Sequence, residues 1–403
     1  MTLQQADPAL ADTIRSTVPG PDDLAKTVLS SSGSVSASRR TSLIASLAGV
    51  TGPLPDRYQE GKLLGKGGMG VVVQAEDRDL ARPVAVKKLH AGERNPDHVD
   101  RFLREAQLTA QLEHPGILPV HDLGVDQGGD FFYVMRLVQK EETLRSVIDR
   151  LQAGDEATHR ELTFERRIEI VQQVARILQY AHSRGVIHRD VKPENIMLGA
   201  FGEVYLVDWG LAKATGVSKD PVAQPVAPGD GSQTQAGTLL GTPRYMAPEQ
   251  AQGKPATALS DVYSLTAVLY ELLSLHHYMG EDRGSLEDLL RKVLNDPPVF
   301  AAAHYDPKNG RVPPHLAVIC MRGLEKNPER RFQSAQELER ALQHWIEGEG
   351  AVMCAVTFQL SLLNRYKRAL VRHPRVFQFV PILLSLALLT GLGFALFRAF
   401  GAH

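Results

Sequence analysis

Apolar and β-branched residues gather in short runs over residues 58–89, where "YQEGKLLG", "GVVVQAED" and "PVAVKKL" predict three strands joined by a glycine-rich loop and a turn. A helical period follows. In "DHVDRFLREAQLTAQLEHPG" the apolar positions Val99, Phe102, Leu103, Ala106 and Ala110 form a helical stripe, stopped by Pro115 and Gly116. "GILPVHDLG" and "DFFYVMRLV" supply two further strands, and helices dominate from there on. "FERRIEIVQQVARILQYAHSRG" is amphipathic, with Gly185 placed as its C-terminal cap. "DVYSLTAVLYELLSL" is apolar nearly all round and should be a buried helix. The order predicts an α+β, bilobal body. A small β-rich N-terminal lobe with one helix precedes a larger helical C-terminal lobe, and a ligand would lie in the cleft between them.

The flanks of this body follow other rules. Residues 1–54 are rich in Ser, Ala, Thr and Pro and cannot bury much apolar surface, so a disordered arm is expected there. The globular body runs over 57–347, followed by a linker over 348–376. Residues 377–397, "FQFVPILLSLALLTGLGFALF", hold 21 residues without a charge. At about 1.5 Å per residue that stretch crosses a hydrocarbon core of about 30 Å, so a transmembrane helix in a lipid bilayer is expected. Arg365, Lys367, Arg368, Arg372 and Arg375 precede it and only Arg398 follows, in the short outer tail 398–403. That bias puts the body on the cytoplasmic side of the cell membrane in a single-pass arrangement. Ala387, Gly391 and Ala395 recur every four residues, a small-residue face that predicts a homodimer through the helix.

Composition narrows the class. Hydrophobic content of 43% and charged content of 23% are those of a globular chain, and the formal net charge of −1 argues against nucleic acid as a partner. Cys320 and Cys354 are the only cysteines, too few for a disulfide framework or a thiolate zinc site. The N-terminus lacks the basic-then-apolar pattern of a secretion signal.

Gly65-x-Gly67-x-x-Gly70 fits two kinds of phosphate cradle. A dinucleotide fingerprint must run from its glycines straight into a helix. Here the β-branched run "VVV" follows, which favours a strand, so the glycines join two strands and can fold down over a ligand. Lys87, on the strand "VAVK", can reach phosphates beneath that loop. Glu105 sits three residues after Phe102 on the next helix and faces the same way, so it can hold Lys87 in an ion pair.

"VIHRDVKPENIML" (186–198) brings His188, Arg189, Asp190, Lys192 and Asn195 into one loop between apolar anchors. Phosphoryl transfer needs such a set: a carboxylate to orient the attacking hydroxyl, an ammonium for the γ-phosphate and an amide oxygen for Mg²⁺. Asp208, in "VYLVDWGLAK", supplies a charged metal ligand of the hard kind that Mg²⁺ prefers.

In order and spacing, "GKGGMGVV", "VAVK", Glu105, "HRDVKPEN", "DWG" and "APE" resemble the protein kinase signature set over about residues 58–345. The chain looks most similar to bacterial serine/threonine kinases of the eukaryotic-like, Hanks type. The resemblance implies transfer of the γ-phosphate of ATP to protein substrates, with Mg²⁺ as cofactor. Asp190, Lys192 and Asn195 are then catalytic, and Asn195 with Asp208 holds the metal. The nucleotide would be covered by Leu64, Gly65, Lys66, Gly67, Gly68, Met69, Gly70, Val71 and Val72. Ala85 would roof the adenine and Met197 lie beneath it, with Met135 as gatekeeper and Arg136 and Val138 in the hinge. Lys87 and Glu105 complete the cofactor set. Lys192, together with Thr242 of "GTPRYMAPE", implies action on serine and threonine rather than tyrosine. By the same resemblance Asp261 should hold the backbone of the "HRD" loop and Glu249 should meet Arg331.

Two departures stand out. Trp209 replaces the usual phenylalanine of "DFG", and the segment from Asp208 to Glu249 is 42 residues long, with the linker-like insert "SKDPVAQPVAPGDGSQTQAG". Thr238, four residues before Thr242, matches the family's main activation phosphosite, and Arg189 would pair with its phosphate; Thr234 and Ser232 are further candidates. Two rival readings share the fold: a pseudokinase scaffold, which would be signalled by loss of Lys87, Asp190 or Asp208, and a small-molecule phosphotransferase, which would lack the "GTPRYMAPE" platform.

Overall fold

The computed structural model describes residues 57–348 apart from 68–69, 93–94, 127–128, 140–141, 212, 215–242 and 281–284. The N-terminal arm, Gly68, Met69, the long insert with Thr238 and Thr242, and the apolar stretch 377–397 lie outside the described residues. Among the described residues no helix is long and apolar enough to cross a membrane.

The three expected strands form β1 (Tyr58–Lys66), β2 (Gly70–Asp77) and β3 (Arg82–Leu89); helix α1 (Pro96–Gln111) follows, then β4 (Val120–Val125) and β5 (Phe131–Arg136). The five strands make one antiparallel sheet in the order β1-β2-β3-β5-β4. Alternation sorts its two faces. Val84, Val86, Phe132 and Val134 pack with Tyr58 and Ala75 on the outer face. Leu89 and Tyr133, on the inner face, meet Phe102 and Ala106 of α1. That helix starts where the Asn95 side chain accepts from the Asp97 N–H, with Pro96 in the first turn.

One expected strand is shorter than its apolar run. β4 begins only at Val120, although "GILP" precedes it. Ile117 closes a turn by donating its N–H to His114 C=O, and its side chain joins the core of the larger lobe. The run is therefore a tether between lobes. Gly116 lets the chain pass closely there, since a Cβ would come within 2.3 Å of the Ile177 side chain and 3.0 Å of Val204 C=O.

The second lobe opens with β6 (Glu142–Thr143), α2 (Leu144–Gln152), α3 (Glu156–Glu161) and α4 (Phe164–Ser183). Gly185, at φ 74°, turns the chain out of α4 as its sequence position implies. Next come β7 (Val186–Ile187), β8 (Ile196–Leu198), β9 (Val204–Leu206) and β10 (Lys213–Ala214), which pair as β6-β8-β9 and β7-β10. Helices α5 (Pro248–Ala251), α6 (Ala258–Ser274), α7 (Leu286–Asn295), α8 (Pro314–Gly323) and α9 (Ala335–Ile346) complete the lobe. As expected, α6 is buried almost all round, against α4, α8 and α9.

Candidate active site

Strand alternation places Ala85 and Lys87 of β3 on the same face as Tyr133 and Met135 of β5; Ala85 lies opposite Met135, and Lys87 opposite Tyr133. Val72 of β2 faces Lys87 from the other side. Lys87 Nζ meets Glu105 Oε1 at 2.5 Å, the ion pair that the spacing predicts. Glu105 is only 3% exposed. Its Oε1 also accepts from the Tyr133 hydroxyl at 2.7 Å, a partner that sequence spacing does not disclose. Burial, with Glu105 alongside, holds the Tyr133 hydroxyl in its protonated, donating form.

At the loop over the cleft, the β1–β2 register shifts between Leu63 and Gly65. Leu64, Gly65, Val71 and Val72 are half-buried, and Lys66 and Gly67 are exposed. Nothing lies within 4 Å of where a Cβ would stand on Gly65, so the backbone there has room for a ligand to approach. Gly70 meets a different need, since its Cβ would fall 2.0 Å from Lys88 C=O in the neighbouring strand. The opposite wall is apolar. Met135, Met197 and Val138 gather with Leu118, Tyr205 and Val207, the last three absent from the sequence-based set. Arg136, exposed, lies over the Tyr205 ring.

Below this wall the segment 188–195 folds on one buried carboxylate. Asp261 of α6 accepts the backbone N–H of His188 at 2.9 Å and of Arg189 at 2.8 Å, as the family resemblance implies. Its Oδ2 also lies 2.7 Å from His182 Nε2. Burial alone would raise the Asp261 carboxyl, but the His182 bond and the backbone N–H that Arg189 donates help to hold it below the ordinary carboxylate range. These bonds fix Arg189 at φ 72°, a left-handed conformation that is costly for a residue with a side chain. Gln250 of α5 adds a bond from Nε2 to Arg189 C=O at 3.1 Å.

Asp190 emerges from that turn with its carboxylate held twice. Lys192 Nζ lies 2.6 Å from Oδ2, and Asn195 Nδ2 donates to the same oxygen at 3.1 Å and to Asp190 C=O at 2.8 Å. Across the cleft, half-exposed Asp208 approaches Lys87 Nζ at 3.9 Å. So Lys87, Glu105, Asp190, Lys192, Asn195 and Asp208 converge on one space from four separate elements. The donor set fits a magnesium nucleotide. Asn195 commits its amide N–H groups to Asp190, which leaves the amide oxygen as the hard ligand beside the Asp208 carboxylate. Among the described residues no group of three or more His, Cys, Asp or Glu could hold a metal. An ion here would complete its shell from phosphate and water.

A model of the protein kinase domain matches residues 58–346. The chain belongs to the protein kinase family. Among curated relatives, the serine/threonine-protein kinase PknD of Protochlamydia amoebophila is 34% identical over 326 residues, covering 77% of this chain and 32% of its own length. PknD of Chlamydia muridarum is 35% identical over 306 residues, 73% of this chain and 32% of its own. A probable serine/threonine-protein kinase of Streptomyces coelicolor is 36% identical over 301 residues, 73% of this chain and 41% of its own. The chain thus spans about a third of the length of the chlamydial relatives.

Further contacts of the kinase domain brace the segment around α5. Arg331 is fully buried and grips Glu249 through two bonds of 2.8 Å. Glu271 of α6 accepts from the Tyr245 hydroxyl and from Arg145 Nη1 of α2, which ties the segment before α5 to both helices. Sequence reading missed this cluster; the one available signal was a lone Glu in an otherwise apolar helix.

Proposed function

We propose that this protein is a serine/threonine protein kinase that transfers the γ-phosphoryl group of ATP to hydroxyl groups of protein substrates. The observation that carries this reading is the doubly held Asp190 carboxylate, together with the Lys87–Glu105 pair and Asp208 at 3.9 Å from Lys87. Asp190 would orient the substrate hydroxyl and take its proton as the oxygen is phosphorylated, ADP being the leaving group. Lys192 would place positive charge beside the transferred group, and Lys87, kept in position by Glu105, would bind the other phosphates. Asn195 and Asp208 would hold Mg²⁺, which supplies charge neutralisation when bound. Lys87, Asp190 and Asp208, whose loss would mark a scaffold, are all present. The test is γ-phosphate transfer to a protein acceptor by the full chain. Asp190→Asn should lower transfer by about a hundredfold or more while ATP affinity stays within a few-fold. Near-normal transfer by that variant would refute the assignment.

The same reading extends to regulation and location. Arg189 Nε is buried and has no hydrogen-bond partner among the described residues, which supports a phosphate on Thr238 as its activating partner. Residues 377–397 would anchor the kinase to the membrane, and the Ala387-Gly391-Ala395 face would bring two copies together for phosphorylation in trans. Gly391→Leu should then reduce Thr238 phosphorylation in membranes. Mass spectrometry of membrane fractions decides this, and unchanged phosphorylation would reduce the helix to an anchor.

A further inference from the structure

The residue that departs from the family pattern, Trp209, does more than fill the place of a phenylalanine. Its ring is 2% exposed, in the same apolar cluster as Leu112, Ile117 and Val191. It meets His188 edge-on, with ring centroids 4.7 Å apart and planes at 67°. A phenylalanine could make both of those contacts. It could not make a third: the indole Nε1–H donates to Leu206 C=O at 3.1 Å.

The acceptor is among the most firmly held points near the cleft. Leu206 ends β9, is paired with Ile196 of β8, and donates its own N–H to Gly116 C=O at 2.9 Å. The next residue, Val207, donates to Asn195 C=O at 2.9 Å and accepts from His188 Nε2 at 3.1 Å. Between these anchors and Trp209 stands Asp208 at φ 63°, a left-handed residue with no glycine's freedom. The indole bond closes the chain from 206 to 209 around that strained residue.

We propose that Trp209 is a positioning residue whose indole N–H locks Asp208 in its metal-facing conformation before nucleotide or activating phosphate arrives. The proposal rests on the kinase reading above and adds its regulation. The carboxylate that would hold Mg²⁺ is held from behind by a bond within its own segment, from residue 209 to residue 206. His188 couples the lock to the catalytic loop, because its ring reaches Val207 C=O through Nε2 and accepts the Asp190 N–H on Nδ1.

Only two tryptophans occur, Trp209 and Trp345, so the bond can be read directly. Full-length protein in detergent micelles, labelled with ¹⁵N at tryptophan alone, should give two indole N–H signals, assigned with Trp345→Phe. The Trp209 signal should exchange slowly with solvent without nucleotide and change little on adding MgATP. Rapid exchange that slows only with MgATP would overturn the proposal. In a second arm, Trp209→Phe keeps the ring and removes the donor. The Mg²⁺ concentration for half-maximal ATP binding should rise by about five-fold, the equilibrium weight of one ordinary hydrogen bond. Affinity for ATP without metal should stay within about two-fold, a split that a general loss of structure would not produce. An unchanged Mg²⁺ requirement would also overturn it. Failure of the wild-type chain to bind ATP with Mg²⁺ would instead sink the kinase reading, leaving the exchange result to judge the lock.

Discussion

Glu105 shows how narrowly one side chain is fixed at this site. Its Oε1 receives both Lys87 and Tyr133, and its Oε2 faces Gly210, where an added Cβ would lie 2.9 Å away. The same Cβ would come within 3.2 Å of Asp208 Oδ1. Gly210→Ala therefore pushes on the two carboxylates that orient Lys87 and would hold the metal. Carboxylate ends can move aside at little cost to folding, so the melting temperature should change by no more than a few degrees. The geometry cannot move without loss. We expect kcat/KM for ATP to fall by about ten-fold, the kinetic equivalent of about 1.4 kcal/mol. Steady-state kinetics beside a thermal melt check this, and full activity with an unchanged melt would mean that the carboxylates tolerate the methyl group.

At the scale of elements, α5, α6 and the loop between α8 and α9 are joined by buried ions. Arg331 reaches Glu249 on α5 and also Leu259 C=O at the start of α6, both from the loop between α8 and α9. Burial by itself would raise the Glu249 carboxyl, but the Arg331 guanidinium outweighs it and keeps the group below the ordinary range. Arg331→Met removes the cation and leaves a buried carboxylate alone, which should cost about 3–5 kcal/mol. Urea unfolding measures it. Combining the change with Glu249→Gln should cost less than the sum of the two, because the second substitution removes the charge stranded by the first. This pair and the Asp261 bonds were readable in the sequence only through motif resemblance; periodicity says nothing about contacts 82 or 73 residues apart. Apolar patterning did reveal β1 to β3, α1, α4 and α6, whose runs are long enough to show. It could not reveal β6, β8 and β9, which hold two or three residues each. Tyr133 escaped for another reason: it reaches Glu105 across the sheet register, from a strand 28 residues downstream.

Over the whole molecule, the buried histidines set how the fold responds to acid. His277 is the clearest case. Burial is the main cause that pushes its imidazole down to about 3, and nearby Arg244 and Arg145 add to it. The ring packs on Tyr245 and Tyr278, and Nδ1 accepts the Met279 N–H. A histidine kept neutral in the fold but free to protonate when unfolded adds stability that is complete above the ordinary value near 6.5. That stability is lost as pH falls toward 3, by at most about 1.4 kcal/mol per pH unit. Half-buried His114 and His304 are also lowered, chiefly by burial, and act in the same direction below 6.5. The carboxylates of Asp261 and Glu249 contribute only further down, because their stabilisation is lost below the unfolded carboxylate range near 4. Between pH 6.5 and 5 the decline should therefore belong to histidines. His277→Asn keeps an acceptor for the Met279 N–H but cannot titrate. It should be less stable than the native chain at pH 8, through lost ring packing, yet lose about 1.6 kcal/mol less on going from pH 6.5 to 5. Urea midpoints at pH 8, 6.5 and 5 for both chains give the comparison. Parallel declines would show that His277 already carries its proton in the fold.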